Sequence, residues 1–511
     1  MGLRNSTEIA FDNFSGGRAS AKNKTSLEQN EALSLDNIVI KPQGMGFRSM
    51  NGNTEFNGTV MVDATTVVAG LSYYSNTGGN TFLCAVAGTK LFKSDSLDGT
   101  MDDVTGALTI TSGQNNLWQM FTYDDVLIGV GGAPDAPFKF TGTGNGAVLG
   151  GSPPSGSFGF AYNNRVFIGG TSANPSRINW TILKDSEDWS GTGSGNADVA
   201  LNDGDSLVGA GQLNDTNVLL FKKNSVHRMV GKTSPFSFFQ AFQGVGAAGK
   251  NAIVVVDGLC YFVTPQGRMV ITDGNSIIDS RLMPRLNNID DVWDGLNQSR
   301  LAYIQGIRYK KKELDWIIWT ATNGSGTTND VAIIWDLLNK CWITASKGFE
   351  GNTLAINPFL NNLYMGGYVG KIYTMDVSGT NTNASNASAK ISWKWQSGWL
   401  TQNSLDKVIK LHRVNGAFTA KTVGNITISY GYDFSPNERA KTFSMQGPGG
   451  LWDAGLWDVM NWGGLSDVIR NASILGRGNV FNYQVSGDDQ VDYNMSTIVG
   501  TQSSQKHFEA G

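Results

Sequence analysis

"AIVVVDGLCYFVTPQGRMVITDG", residues 252–274, is the stretch on which the fold reading turns. Two apolar runs, "AIVVV" and "LCYFV", flank the pair Asp257-Gly258, and a second turn follows at Gln266-Gly267. β-Branched and aromatic runs joined by a two-residue Asp-Gly turn are the strongest local hairpin signal. "IVVV" is apolar on both parities, as expected of a strand covered on both faces.

Working outward, the same form recurs. "TFLCAVAGTKLFKSD" turns at a Gly-Thr pair. "MFTYDDVLIGVGG" turns at Asp124-Asp125, and "FGFAYNNRVFIGG" at Asn163-Asn164. "NVLLFKKNSVHRMVG" turns at Lys223-Asn224, and "LAINPFLNNLYMGGYVGKIYTMD" at Asn361-Asn362. "YIQGIRYKKKELDWIIWTA" and "DVAIIWDLLNKCWITAS" complete the series. A hairpin every ~35–60 residues is the spacing of propeller blades, without a fixed blade signature. A mainly β chain is expected, with a degenerate β-propeller of about six blades.

Composition agrees. Of 511 residues, 16% are charged and 64 are Gly, which fits short strands and turns and excludes helical bundles. The net charge of −4 argues against tight nucleic-acid binding. Cys84, Cys260 and Cys341 each sit in an apolar run and read as buried free thiols. The N-terminal "MGLRNSTEIAFDNF" has no apolar signal core. Gly2 and Ser6 match a myristoylation pattern, but no cysteine or basic cluster offers a second anchor. No run is long and apolar enough for a membrane helix, and a soluble protein is expected.

Three regions emerge. Residues 1–60 read as an extended arm that can pack with the C-terminal domain. Residues 61–380 form the propeller, and 381–511 a C-terminal antiparallel β platform. "VSGTNTNASNASAK", residues 377–390, is a low-complexity polar linker between the last two.

Motifs with chemical potential are few. Gly244–Lys250, "GVGAAGK", is a phosphate-loop pattern lacking its final Ser or Thr; Asn251 stands there. A strand follows instead of a helix, so no helix N-terminus faces a phosphate. The loop is read as a connection onto a new blade, and "GTGNGA" at 142–147 fails as a dinucleotide loop for the same reason. Asp185, Glu187 and Asp188 crowd "LKDSEDWSG", and Asp203 and Asp205 lie in "NDGDS". Neither spacing makes a calcium loop, and both read as solvated loops, the first closed by Trp189. His227 reads as a structural histidine on a strand. No catalytic residue, cofactor or metal is assigned. "LWDAGLWDVMNWGG" repeats Trp452, Trp457 and Trp462 every five residues, with Asp453 and Asp458 after the first two. That period fits neither helix nor strand. It reads equally as an internal clamp or as an assembly interface.

The order of these motifs resembles the tail nozzle or tail hub proteins of short-tailed bacteriophages. The resemblance rests on "FDNFSGG…SLEQNEALSLDNIVIKPQGMGFRSM", "YNNRVFIGGTSANPSRINWTILKDSEDWS", "GVGAAGKNAIVVVDGLCYFVTPQGRMVITDG" and the tryptophan run. It implies a non-enzymatic virion protein, assembled in the host bacterial cytoplasm as a hexameric homo-oligomer. The ring would sit below portal and adaptor proteins and carry tail fibres or spikes. DNA would pass its channel without sequence-specific binding, and six copies at −4 each suit a repulsive lumen. The rival expectation is a glycan-binding or glycan-cleaving propeller, with Asp185 or Asp188 paired with Asp203.

Overall fold

The turn residues adopt the backbone that the sequence demands. Asp124 and Asp125 have φ of 45° and 61°, Asn163 and Asn164 of 45° and 55°, and Asp257 and Gly258 of 50° and 81°. Two successive positive φ values make the turn whose twist matches a β-hairpin, and Asn, Asp and Gly bear that conformation at least cost. A computed structural model describes residues 6–94, 99–278, 283, 285–386, 389–401, 407–420, 425–444, 467–473 and 476–504.

The chain is β-rich, multi-sheet and propeller-like. Five sheets have four strands each, in simple up-and-down order, over residues 68–103, 119–148, 156–198, 207–243 and 253–278. Two further units, over 305–345 and 353–377, lie inside sheets of ten and six strands. Five and two make seven blade-like units among the described residues, beside the about six expected. The first strands of successive blades pack side by side, and Thr353–Asn357 of the seventh returns to Val68–Ser75 of the first.

Side-by-side packing near an axis leaves little room. A Cβ at Gly70 would lie 2.8 Å from Cβ of Trp118, and one at Gly306 2.8 Å from Cγ2 of Val254. Six of the gaps between blades hold their own buried clusters, and that between blades 6 and 7 shares one with the N- and C-terminal strands. Cys84, Trp118 and Phe138 fill the gap between blades 1 and 2, and Val254, Trp319 and Trp335 that between blades 5 and 6. A strand face too small to form a core alone is thereby buried by its neighbour, at ~2–3 kcal/mol per large side chain.

The first 60 residues are woven into this frame. Gly52–Glu55 pairs with Ile372–Val377 and supplies the outermost strand of blade 7. Glu31–Asp36 lies between the outer strand of blade 6, Cys341–Ala345, and Trp393–Ser397 of the C-terminal region. Blade 6 thus runs on into the C-terminal strands as one sheet. Ser6–Phe11 pairs with Val491–Ser504. Phe11 and Phe14 are buried on Trp395, with ring centroids at 5.2 and 5.5 Å.

The presumed linker is a buried clasp over part of its length. Asn383 is 1% exposed. It accepts from Asn53 Nδ2 at 3.0 Å and donates to both oxygens of Glu350 at 2.9 Å. Its low-complexity composition hides a polar contact that joins the neighbouring Ser385 to Asn53 and Glu350 from distant segments.

Candidate functional site

The ring axis is crossed at the end where the first strands begin. The segment leading into blade 2 spans to the opposite side. Gln114 Nε2 donates to Thr327 O at 3.2 Å, and Arg300 Nη1 to Asn115 Oδ1 at 3.2 Å. Lys250 Nζ donates to Leu117 O and to Ser157 O, each at 2.7 Å. Blades 2, 3, 5 and 6 are thereby tied across the axis.

Lys250 belongs to the "GVGAAGK" loop. Lys250–Ala252 forms a single 3-10 turn and Ile253–Val256 is the first strand of blade 5, so the loop does enter a blade. The residue itself has a role that the sequence reading did not assign. Its stem is half-buried, and its ammonium is desolvated at the ring centre, which pushes the pKa down to about 7. The signal in the sequence is a single cation closing a Gly- and Ala-rich run, of which Gly246, Ala247, Ala248 and Gly249 are buried.

A second polar group lies between blades 3 and 4. Lys222, whose side chain is 0% exposed, donates to both oxygens of Asp203 at 2.7 and 2.8 Å. It also donates to Ser176 Oγ at 3.2 Å and Ala200 O at 3.0 Å. His227 is buried, and its Nε2 lies 3.0 Å from Ser225 Oγ. Burial, then the Lys222 charge, lowers its pKa against the pull of Asp203 and Asp205. A neutral imidazole results, packed among strands.

The crowded carboxylates go to separate local partners. Asp185 accepts from Glu187 N at 2.8 Å, and Asp188 from Ser190 N and Gly191 N at 3.0 and 2.7 Å. Glu187 pairs with Lys139 at 2.7 Å, while Trp189 packs between blades 2 and 3. Asp203 is turned to Lys222, so the pairing of Asp185 or Asp188 with Asp203 is not made by these contacts. Among the described residues no group of three or more His, Cys, Asp or Glu is placed to hold a metal. No helix among them is long and apolar enough to cross a membrane. All three cysteines are free and buried. Trp452, Asp453, Trp457, Asp458 and Trp462 lie outside the described residues.

Two surface features remain. A cleft of about 650 Å³ opens where the Lys311-Lys312 turn of blade 6 meets the hairpin carrying Lys41 and Arg48. Asp376 in its wall accepts from Asn51 Nδ2 and Tyr309 Oη, both at 2.7 Å. The other feature is the outer strand of blade 4, Ser237–Gln243, "SFFQAFQ", whose far edge has no partner strand among the described residues. Phe239 in it is 53% exposed.

No family model matches the chain, and no curated protein matches it. Solved structures do. "YCF48 bound to D1 peptide" is 10% identical, covering 63% of this chain and 95% of its own, with a TM-score of 0.40. YCF48 from Cyanidioschyzon merolae is 10% identical over 63% of this chain and 98% of its own, with a TM-score of 0.39. A chain of the mitotic checkpoint complex is 11% identical over 63% and 97%, with a TM-score of 0.39. Likeness at this level carries nothing about binding or activity, and the strand pairings define the fold.

These findings correct the identification made from motif order. None of the three structures is a phage tail protein, and neither a family model nor a curated relative supports one. The tail-nozzle assignment and its virion role are withdrawn, and so is the glycan-handling alternative. Apart from the tryptophan run, much of what the quoted motifs share is turn punctuation, which many chains of short twisted strands carry.

Proposed function

We propose that this chain is a non-enzymatic assembly subunit. Its seven blades close into a rigid propeller, the C-terminal sheet joined to blade 6 serves as a platform, and the edge of blade 4 joins a second copy of the chain. The edge strand Ser237–Gln243 carries the proposal. Free outer edges are templates for pairing with other chains, and proteins blunt them with short strands, charges or covers.

The other blades follow that rule. Blades 2 and 5 end in two-residue strands, Ala147–Val148 and Ile277–Ile278. Blade 1 ends in Met101–Asp103 with two aspartates, and blade 3 in Gly195–Asp198, where Asp198 pairs with Arg177 at 2.8 Å. Blade 6 is covered by Glu31–Asp36, and the Gly52–Glu55 strand of blade 7 by Thr382–Asn383. Blade 4 alone among the described edges presents seven uncharged residues, three of them Phe. A bulge at Ala241, between the pairs Phe242–Val226 and Gln240–His227, leaves 237–240 as the straight part. Addition of a strand there would supply ladder hydrogen bonds and cover Phe239.

Sedimentation velocity over a range of protein concentrations tests this. The wild type should associate, and Phe239→Lys should weaken association at least ~10-fold, the effect of ~1.4 kcal/mol. Its melting temperature should hold, since the side chain is exposed. A wild type that stays monomeric, or a variant that associates equally well, would end the proposal.

A further inference from the structure

Arg300 is the feature of the axis that remains unexplained. It lies in the 3-10 turn Gln298–Tyr303 and is 9% exposed. Nε donates to Thr322 Oγ1 at 3.2 Å and Nη1 to Asn115 Oδ1 at 3.2 Å. The ring of Tyr303 lies 4.8 Å from the guanidinium carbon. Nη2 is buried and has no acceptor among the described residues. None of these partners is an acid. Asp330, close enough for Tyr368 to feel both charges, accepts from Asn323 N at 2.9 Å.

A buried guanidinium with only neutral acceptors is costly, and each unsatisfied charged N–H adds to the cost. The same crossing segment is held from blade 5 by Lys250, a second cation bonded only to carbonyls. Arg165 offers a contrast. It too has a buried unpartnered Nε, but its Nη1 is held by Thr181 O and Gly193 O at 2.6 and 2.8 Å.

We propose that the crossing segment helps form an anion site, in which a halide ion such as chloride accepts from Arg300 Nη2 and compensates the guanidinium charge. The ion would fix Arg300 on Asn115 and so hold the crossing segment in place.

A crystal of the full chain grown or soaked in bromide tests this directly. An anomalous peak at hydrogen-bonding distance from Arg300 Nη2 is expected, and a map with water or nothing at that position overturns the proposal. In solution, replacing gluconate by chloride at constant ionic strength should raise the wild-type melting temperature. Arg300→Met should be indifferent to the exchange. Equal responses in both proteins would also overturn it. Should Arg300→Met fail to fold, the wild-type bromide map decides alone.

Discussion

Replacing Asp203 by Ala should destabilise the protein by about 3 kcal/mol, because it strands a buried ammonium. Lys222 has no exposed side-chain area, whereas Asp203 is 28% exposed and reaches it with both oxygens. Breaking a buried pair from one side costs ~3–5 kcal/mol. Ser176 Oγ and Ala200 O still accept from Lys222 after the change, which places the effect at the lower end. The double variant Asp203→Ala/Lys222→Met removes both charges and should return to within ~1 kcal/mol of the wild type. Burial, the largest single influence, raises the Asp203 pKa, but the hydrogen bonds from Lys222 and Asp205 N and the charge of Lys222 together outweigh it, and the net shift is downward. A lowered carboxylate pKa contributes stability above the unfolded value of ~3.9, and that contribution is lost as pH falls through the folded value. The gap between wild type and Asp203→Ala should therefore close in acid. Urea unfolding followed by tryptophan fluorescence, with hydrogen exchange over Asn217–Lys222, reads both effects. A loss under ~1 kcal/mol, or a double variant as unstable as the single one, would refute the reasoning.

Two further perturbations address the axis and the closure of the ring. In the folded protein Lys250 titrates at about 7, against ~10.4 for an unfolded lysine. Between these values the unfolded chain binds the extra proton, so the stability of the wild type relative to Lys250→Met should rise with pH across that window. Parallel pH profiles in urea unfolding would count against a desolvated ammonium. Gly52→Ala places a Cβ 2.2 Å from Thr382 O, a backbone atom that cannot swing aside. It should cost ~1–3 kcal/mol and raise hydrogen exchange in Gly52–Glu55 and Ile372–Val377 first. Unchanged protection in those two strands would show that the closure tolerates the methyl group.

The hairpins were legible because their information is local. Asp124-Asp125, Asn163-Asn164 and Asp257-Gly258 announce positive φ by residue type, and each flanking run announces burial by its apolar content. The blade number was not legible, for reasons visible in the outer strands. Ala147–Val148 and Ile277–Ile278 are too short to carry a period, and the outer strand of blade 7 comes from residues 52–55. Asn383 looked like linker because an Asn in a polar run gives no hint that Asn53 and Glu350 await it. Lys250 reads in the sequence only as the end of a loop that enters a blade. Its carbonyl partners at Leu117 and Ser157 are backbone atoms, which leave no trace in a sequence.

The strand that finishes blade 7 also sets a timetable. Glu55 and its partner Lys371 are 316 residues apart along the chain. During synthesis at ~5–20 residues per second, Gly52–Glu55 therefore leaves the ribosome roughly 15–60 s before the strand it pairs with exists. For that interval six blades can form in order while the ring stays open and the early strand waits without a partner. A chain stopped short of residue 372 would keep its first blade and lose its fastening.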